Sequence, residues 1–173
     1  MDLQVLRTRC EARLGELQLP IPFDVQQFCH SIGERRSRPI LLHSIDSPAG
    51  PCGTWLAAPA SDHIFYERQT SPLHQEHIIL HEISHLLCGH RGGSVSDGEL
   101  RDLLLPDLRP EMVESVLRRR AYGTDDKQEA ELLASLILER VARTRSPRAA
   151  APDAETASLL HRLHASLEQP SEG

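Results

Sequence analysis

Residues 71–90 read SPLHQEHIILHEISHLLCGH. Ser71 before Pro72 is a helix start: a hydroxyl that caps free N–H groups, then a residue whose missing N–H matters least in the first turn. Gly89 is a stop, because glycine enters the left-handed region that closes a helix. Between them Ile78, Ile79, Leu80, Ile83, Leu86 and Leu87 cover nearly every side of the helical wheel. A helix apolar all round is a buried helix. His81, Glu82 and His85 lie inside that apolar sleeve, where an unpartnered carboxylate is costly.

Their spacing is HExxH. Residues i and i+4 differ by about 40° around a helix, so both imidazoles point the same way, one turn apart. Each can offer a nitrogen to one zinc ion at about 2.0–2.1 Å. Glu82 lies about 100° round from His81 and flanks the ion instead of binding it. A zinc ion lowers the pKa of its water from 15.7 towards about 7. A flanking carboxylate can take that proton and later pass it to a leaving amine. His81 and His85 are therefore the expected metal ligands, and Glu82 the expected catalytic base. His77 and His81 are also i, i+4, but Ile78 follows His77, so that register supplies no base. His74, His77 and Cys88 lie near the same stripe, as groups that could support the site.

A catalytic zinc needs a third protein ligand. The segment DDKQEAELLASLILER (125–140) predicts a long helix, about 125–143. Glu129 shares a face with Leu132, Leu133 and Leu136, whereas Glu131 points to nearly the opposite side. An acid on the packed face is the one that needs a metal, so Glu129 is the expected third ligand. Asp125 and Asp126, one turn earlier, are the reserves. Tyr122, His90 and Tyr66 are candidate donors to a developing oxyanion.

Two segments carry a family resemblance: HIILHEISHLLCGH (77–90) and QEAELLASLILE (128–139). The first resembles the HExxH helix of the ImmA/IrrE family of zinc metallopeptidases, and the second its downstream EAN-x-FA-type helix. The resemblance covers about residues 20–140. It implies a small gluzincin-like fold with a curled antiparallel sheet beside the active-site helix. It implies cleavage of a repressor protein, with the helix-turn-helix regulator on a separate chain. By motif match, His81 and His85 are ligands and Glu82 the base. The chain departs from the family pattern at Lys127, where some members carry an acid, and at Leu138-Glu139, where Met-Pro is common.

Around the central helix, the pattern predicts helices over 2–17 and 25–36. Strands follow at 39–45, 54–59 and 63–69, read as an antiparallel meander. The loop 89–98 is Gly-rich, and shorter helices are expected at 98–104 and 109–120. The expected fold is α+β: a small antiparallel three-stranded sheet packed on the HExxH helix, with a mainly helical C-terminal half. Residues 1–145 read as one zincin-like metallopeptidase domain, 146–153 as a linker and 154–173 as a short amphipathic helix with a polar tail. Strand 63–69 directly precedes the HExxH helix. At a sheet edge it would take a substrate peptide by backbone pairing.

Composition narrows the function. Nineteen Lys and Arg against 25 Asp and Glu give a net charge of −6. That balance, with 3% aromatics, argues against nucleic-acid binding despite the run Arg118–Arg120. No apolar stretch approaches the roughly 18 residues of a membrane span, and the N-terminus has no leader pattern. A cytoplasmic protein is expected. Cys10, Cys29, Cys52 and Cys88 form no CxxC pair and read as reduced thiols. The leading expectation is a zinc endopeptidase acting on a specific intracellular protein. The alternatives are a regulatory partner that binds a repressor without cutting it, and a zinc hydrolase of small amides.

Overall fold

The computed structural model describes residues 3–46, 53–96, 98–100 and 122–145. In chain order the elements are α1 (Leu3–Glu16), α2 (Val25–Arg35), β1 (Ile40–Ile45), β2 (Gly53–Ala57), β3 (Asp62–Glu67), α3 (Pro72–Leu87), β4 (Gly93–Ser94) and α4 (Thr124–Arg145). The expected linker and C-terminal helix, and most of the expected helices at 98–104 and 109–120, lie outside the described residues.

The α+β class holds, and the expected sheet is corrected. It has four strands in the order β1-β3-β2-β4 and is mixed. β2 and β3 form the expected antiparallel hairpin, with Trp55 opposite Ile64. β1 instead runs parallel to β3, with Ile40 opposite Asp62. Strand β3 slots between β1 and β2, so it is an interior strand and not a free edge for substrate. β4, inside the Gly-rich loop, runs parallel to β2 and pairs only Gly93 and Ser94 with Leu56 and Ala57. Two residues are too few to show a period of two, so sequence pattern alone reads them as loop.

α3 lies between this sheet and α4. It packs on β2 and β3 to one side and on α4 to the other, while α1 covers α4 and α2 covers β1. Its ends follow the sequence reading. Ser71 Oγ accepts from the His74 N–H at 3.3 Å, Pro72 opens the first turn, and Gly89 has φ +72°. Ile78, Ile79, Leu80, Ile83 and Leu86 are all buried. Ile79, Leu80, Ile83 and Leu86 join Phe28, Ile32, Trp55, Ile64, Leu133 and Ile137 in the main core. A fully buried Leu or Ile contributes about 1.5–3 kcal/mol, so this sleeve anchors the molecule. The far face of the sheet carries a smaller cluster of Ile45, Leu56, Ala58, Phe65 and Val95. There His63 is buried because its ring is satisfied at both ends: Nδ1 lies 2.9 Å from His43 Nε2, and Nε2 lies 2.8 Å from Ser61 Oγ.

The hairpin that aims Trp55 at α3 is held by one buried acid. Asp62 is 1% exposed and accepts from Arg36 at 2.7 Å, Arg38 at 2.9 Å and the Trp55 indole N–H at 3.0 Å. Arg38 also donates to the carbonyls of Ala58, Pro59 and Ser61 in the turn. Burial alone would push the Asp62 carboxyl up. The hydrogen bonds of Arg36, Trp55 and Arg38 outweigh it and bring the carboxyl below its ordinary value. A carboxyl lowered on folding stabilises fully above its unfolded value, about 3.9, and loses that stabilisation as pH falls through the folded value. Asp62→Asn should therefore cost about 3 kcal/mol at pH 7, read by urea unfolding. The gap to the parent should narrow at pH 3; a gap independent of pH would contradict this role.

Candidate metal centre

α3 presents His81 and His85 one turn apart, as the spacing requires. Their Nε2 atoms face each other at 3.2 Å. Two ligands on a tetrahedral zinc with bonds near 2.05 Å stand about 3.3 Å apart, so this pair already fits one ion. His85 is fully buried and His81 partly so. Burial pushes the His81 imidazole below its ordinary value, with Glu131 pulling the other way. A neutral ring is the form that binds metal.

The opposite nitrogens are both engaged. His81 Nδ1 lies 2.9 Å from Glu131 Oε2, and His85 Nδ1 lies 2.9 Å from His90 Nδ1. His90 Nε2 in turn lies 3.3 Å from Glu129 Oε2. Two imidazoles that both present a bare Nε2 must carry their protons on Nδ1. His81 then donates to Glu131, His85 donates to His90 Nδ1, and His90 donates through Nε2 to Glu129. Every proton has an acceptor, and both chains end on a carboxylate. Partners of this kind fix ring orientation and strengthen the ligand.

Glu82 is 5% exposed. It points at β2, where its Oε2 accepts the Trp55 backbone N–H at 2.9 Å. That bond fixes the carboxylate against β2. The approach is close: a Cβ on Gly53 would sit 2.5 Å from Ile78 Cγ2 and 3.0 Å from Glu82 Cγ. Glycine at 53 is what lets β2 lie against this turn of α3.

The expected third ligand, Glu129, is buried at 4% exposure and lies on the face of α4 that meets α1 and the end of α3. Its carboxylate is held by Arg9 at 3.3 and 3.4 Å and by His90. The structure thus joins Glu129 to His85 through His90, and not by direct contact. Asp126 lies 3.7 Å from His90 Nε2, and Asp125 is exposed. Glu129, His90 and Cys88 bring one donor atom each within 4.8 Å of one another. Burial, then the Glu129 charge, pushes the Cys88 thiol up to about 12, so it stays protonated at neutral pH.

The remaining candidates fall out unevenly. The Tyr122 ring stacks on His85 with centroids 3.6 Å apart. His77 pairs with Glu131 at 3.3 Å. Tyr66 packs against the main core from β3. His90 bonds to His85 and Glu129, and so serves as a support for the site. Glu131, set aside in the sequence as pointing away from the Glu129 face, meets both His77 and His81. The i, i+4 pair His77 and His81 facing one acid was the available signal. Compared with protein families, curated proteins and solved structures, the chain matches none.

Glu131→Ala should weaken zinc binding by about 10–100-fold, measured by competition with a chelator. The side chain is 51% exposed, so the far-UV circular dichroism should not change. Undiminished affinity would show that Glu131 does not orient His81.

Proposed function

We propose that the chain is a zinc-dependent endopeptidase. The observation that carries this reading is the facing pair of His81 and His85 Nε2 atoms, with each opposite nitrogen already engaged. His81 and His85 would hold the ion through Nε2, with Glu129, joined to His85 through His90, as the expected third ligand. A bound ion would supply Lewis acidity for the attacking water and the carbonyl attacked. Glu82 is the base. It takes the proton of the attacking water and hands it to the departing amine. The Trp55 N–H keeps its carboxylate in place between those two transfers.

A substrate strand has a place to lie. Trp55 turns its N–H outward, away from β3, and β4 covers only Leu56 and Ala57. Among the described residues the edge of β2 at Gly53, short of the Trp55 N–H that Glu82 occupies, lies beside Glu82, and a peptide adds there by backbone pairing. The family resemblance names the substrate class, a transcriptional repressor on a separate chain. No helix among the described residues is long and apolar enough to cross a membrane.

Glu82→Gln should retain zinc and lose about 10²–10⁴-fold of the peptidase rate. The check is metal content by mass spectrometry beside cleavage of a co-expressed repressor. Full cleavage by Glu82→Gln would remove Glu82 from the chemistry. Zinc retention without cleavage by the parent chain would favour a binding role over a peptidase.

A further inference from the structure

The HExxH pair is not the one place where donors converge. Just past the end of α3, Cys88, His90 and Glu129 bring a sulfur, an imidazole nitrogen and a carboxylate oxygen within 4.8 Å of one another. His90 Nε2 and Glu129 Oε2 are already 3.3 Å apart, the separation two ligands take on one tetrahedral ion, about 3.3 Å. Asp126 Oδ1, 3.7 Å from His90 Nε2, offers a fourth donor. A thiolate, an imidazole and carboxylates form a set suited to zinc and to other borderline cations. The turn that presents Cys88 is held from α1: Arg13 donates to the Leu87 carbonyl at 2.6 Å and to the Cys88 carbonyl at 3.5 Å.

We propose that Cys88, His90 and Glu129 form a second position for the metal, and that this position and the His81–His85 position exclude each other. The proposal rests on the zinc reading of His81 and His85 and extends it. Exclusion follows from one proton. His85 Nδ1 and His90 Nδ1 are 2.9 Å apart, so a single proton lies between them. With the metal on His85 Nε2, that proton sits on His85, and His90 must keep its other proton on Nε2, facing Glu129. With the metal on His90 Nε2, the proton sits on His90. His85 is then protonated on Nε2 and donates to His81 Nε2 at 3.2 Å, closing the first position. Glu129 is shared, so the acid that completes one position is withdrawn from the other. Binding at the second position releases the Cys88 thiol proton to solvent and forms a metal–sulfur bond. Arg9, the cation now on Glu129, gives up part of that contact in either state.

The consequence is a chain that stores its metal one imidazole away from where it works. Metal at Cys88 leaves Glu82 without a reacting centre, and transfer to His81–His85 restores one.

Cobalt(II) titration of the metal-free full chain tests this, because a thiolate bound to cobalt gives a near-ultraviolet charge-transfer band that nitrogen and oxygen ligands do not. The parent should take up one cobalt per chain and show the band. Cys88→Ser should still take up one cobalt, with visible cobalt bands and no charge transfer. His81→Ala should keep the band and raise its intensity per cobalt, since the metal is then confined to the second position. A parent that binds one cobalt without the band overturns the second position and leaves the His81–His85 reading standing. A band that survives Cys88→Ser overturns it too, since another cysteine is then the ligand. Two cobalt ions per chain together with the band overturn the exclusion. A parent that binds no cobalt overturns both readings.

Discussion

A helix that is apolar on every side has no water to offer the polar groups it carries. α3 is such a helix, set between the sheet and α4, and within it lie Glu82, Ser84 and His85, each at most 5% exposed. Each has to find a partner inside the protein, and the arrangement of the rest follows from where those partners are. Ser84 turns back on the Leu80 carbonyl of its own helix at 2.7 Å. Glu82 reaches out to the Trp55 N–H on β2, and His85 to His81 and His90. The sheet and the turn after α3 are each tied to the central helix by a polar group that could not be buried alone, and α4 is joined to that turn through His90 and Glu129.

The same requirement ties distant residues to the site. Trp55 stands at the junction: its backbone N–H holds Glu82, and its indole N–H donates to Asp62. Asp62 in turn collects Arg36 and Arg38 from the segment between α2 and β1. On the other side α1 contributes Arg9 to Glu129 and Arg13 to the carbonyls at the end of α3. A substitution at Arg9 in α1 therefore reaches His85 through three hydrogen bonds, and one at Asp62 in the hairpin reaches Glu82 through two.

Much of this was legible in the chain itself. α3 was bounded correctly by Ser71, Pro72 and Gly89 because caps and stops are local. The approach of His81 to His85 was legible because i, i+4 is a property of the helix alone. What was not legible depends on pairing across the chain. A period of two marks β1, β2 and β3 as strands but does not say that β3 passes between the other two. The parallel β1–β3 ladder therefore replaced the expected meander, and the expected edge strand became interior. Glu129 and Glu131 lie on different faces of α4, and hydrophobic pattern favoured the first. Which imidazole each one meets depends on how α4 crosses α3, and that angle has no sequence signal. His43 and His63, which carry no spacing pattern, are joined across the parallel ladder for the same reason.

We propose that His81 and His85 hold one metal ion through Nε2, and their ring nitrogens report on it. The most direct measurement is a long-range proton–nitrogen correlation spectrum of the imidazoles in ¹⁵N-histidine-labelled Cys88→Ser protein, recorded with and without one equivalent of zinc. Zinc should move the Nε2 resonances of His81 and His85 to the range of metal-bound nitrogen. Both rings should then show their proton on Nδ1. Spectra in which zinc leaves these two rings unchanged would contradict it.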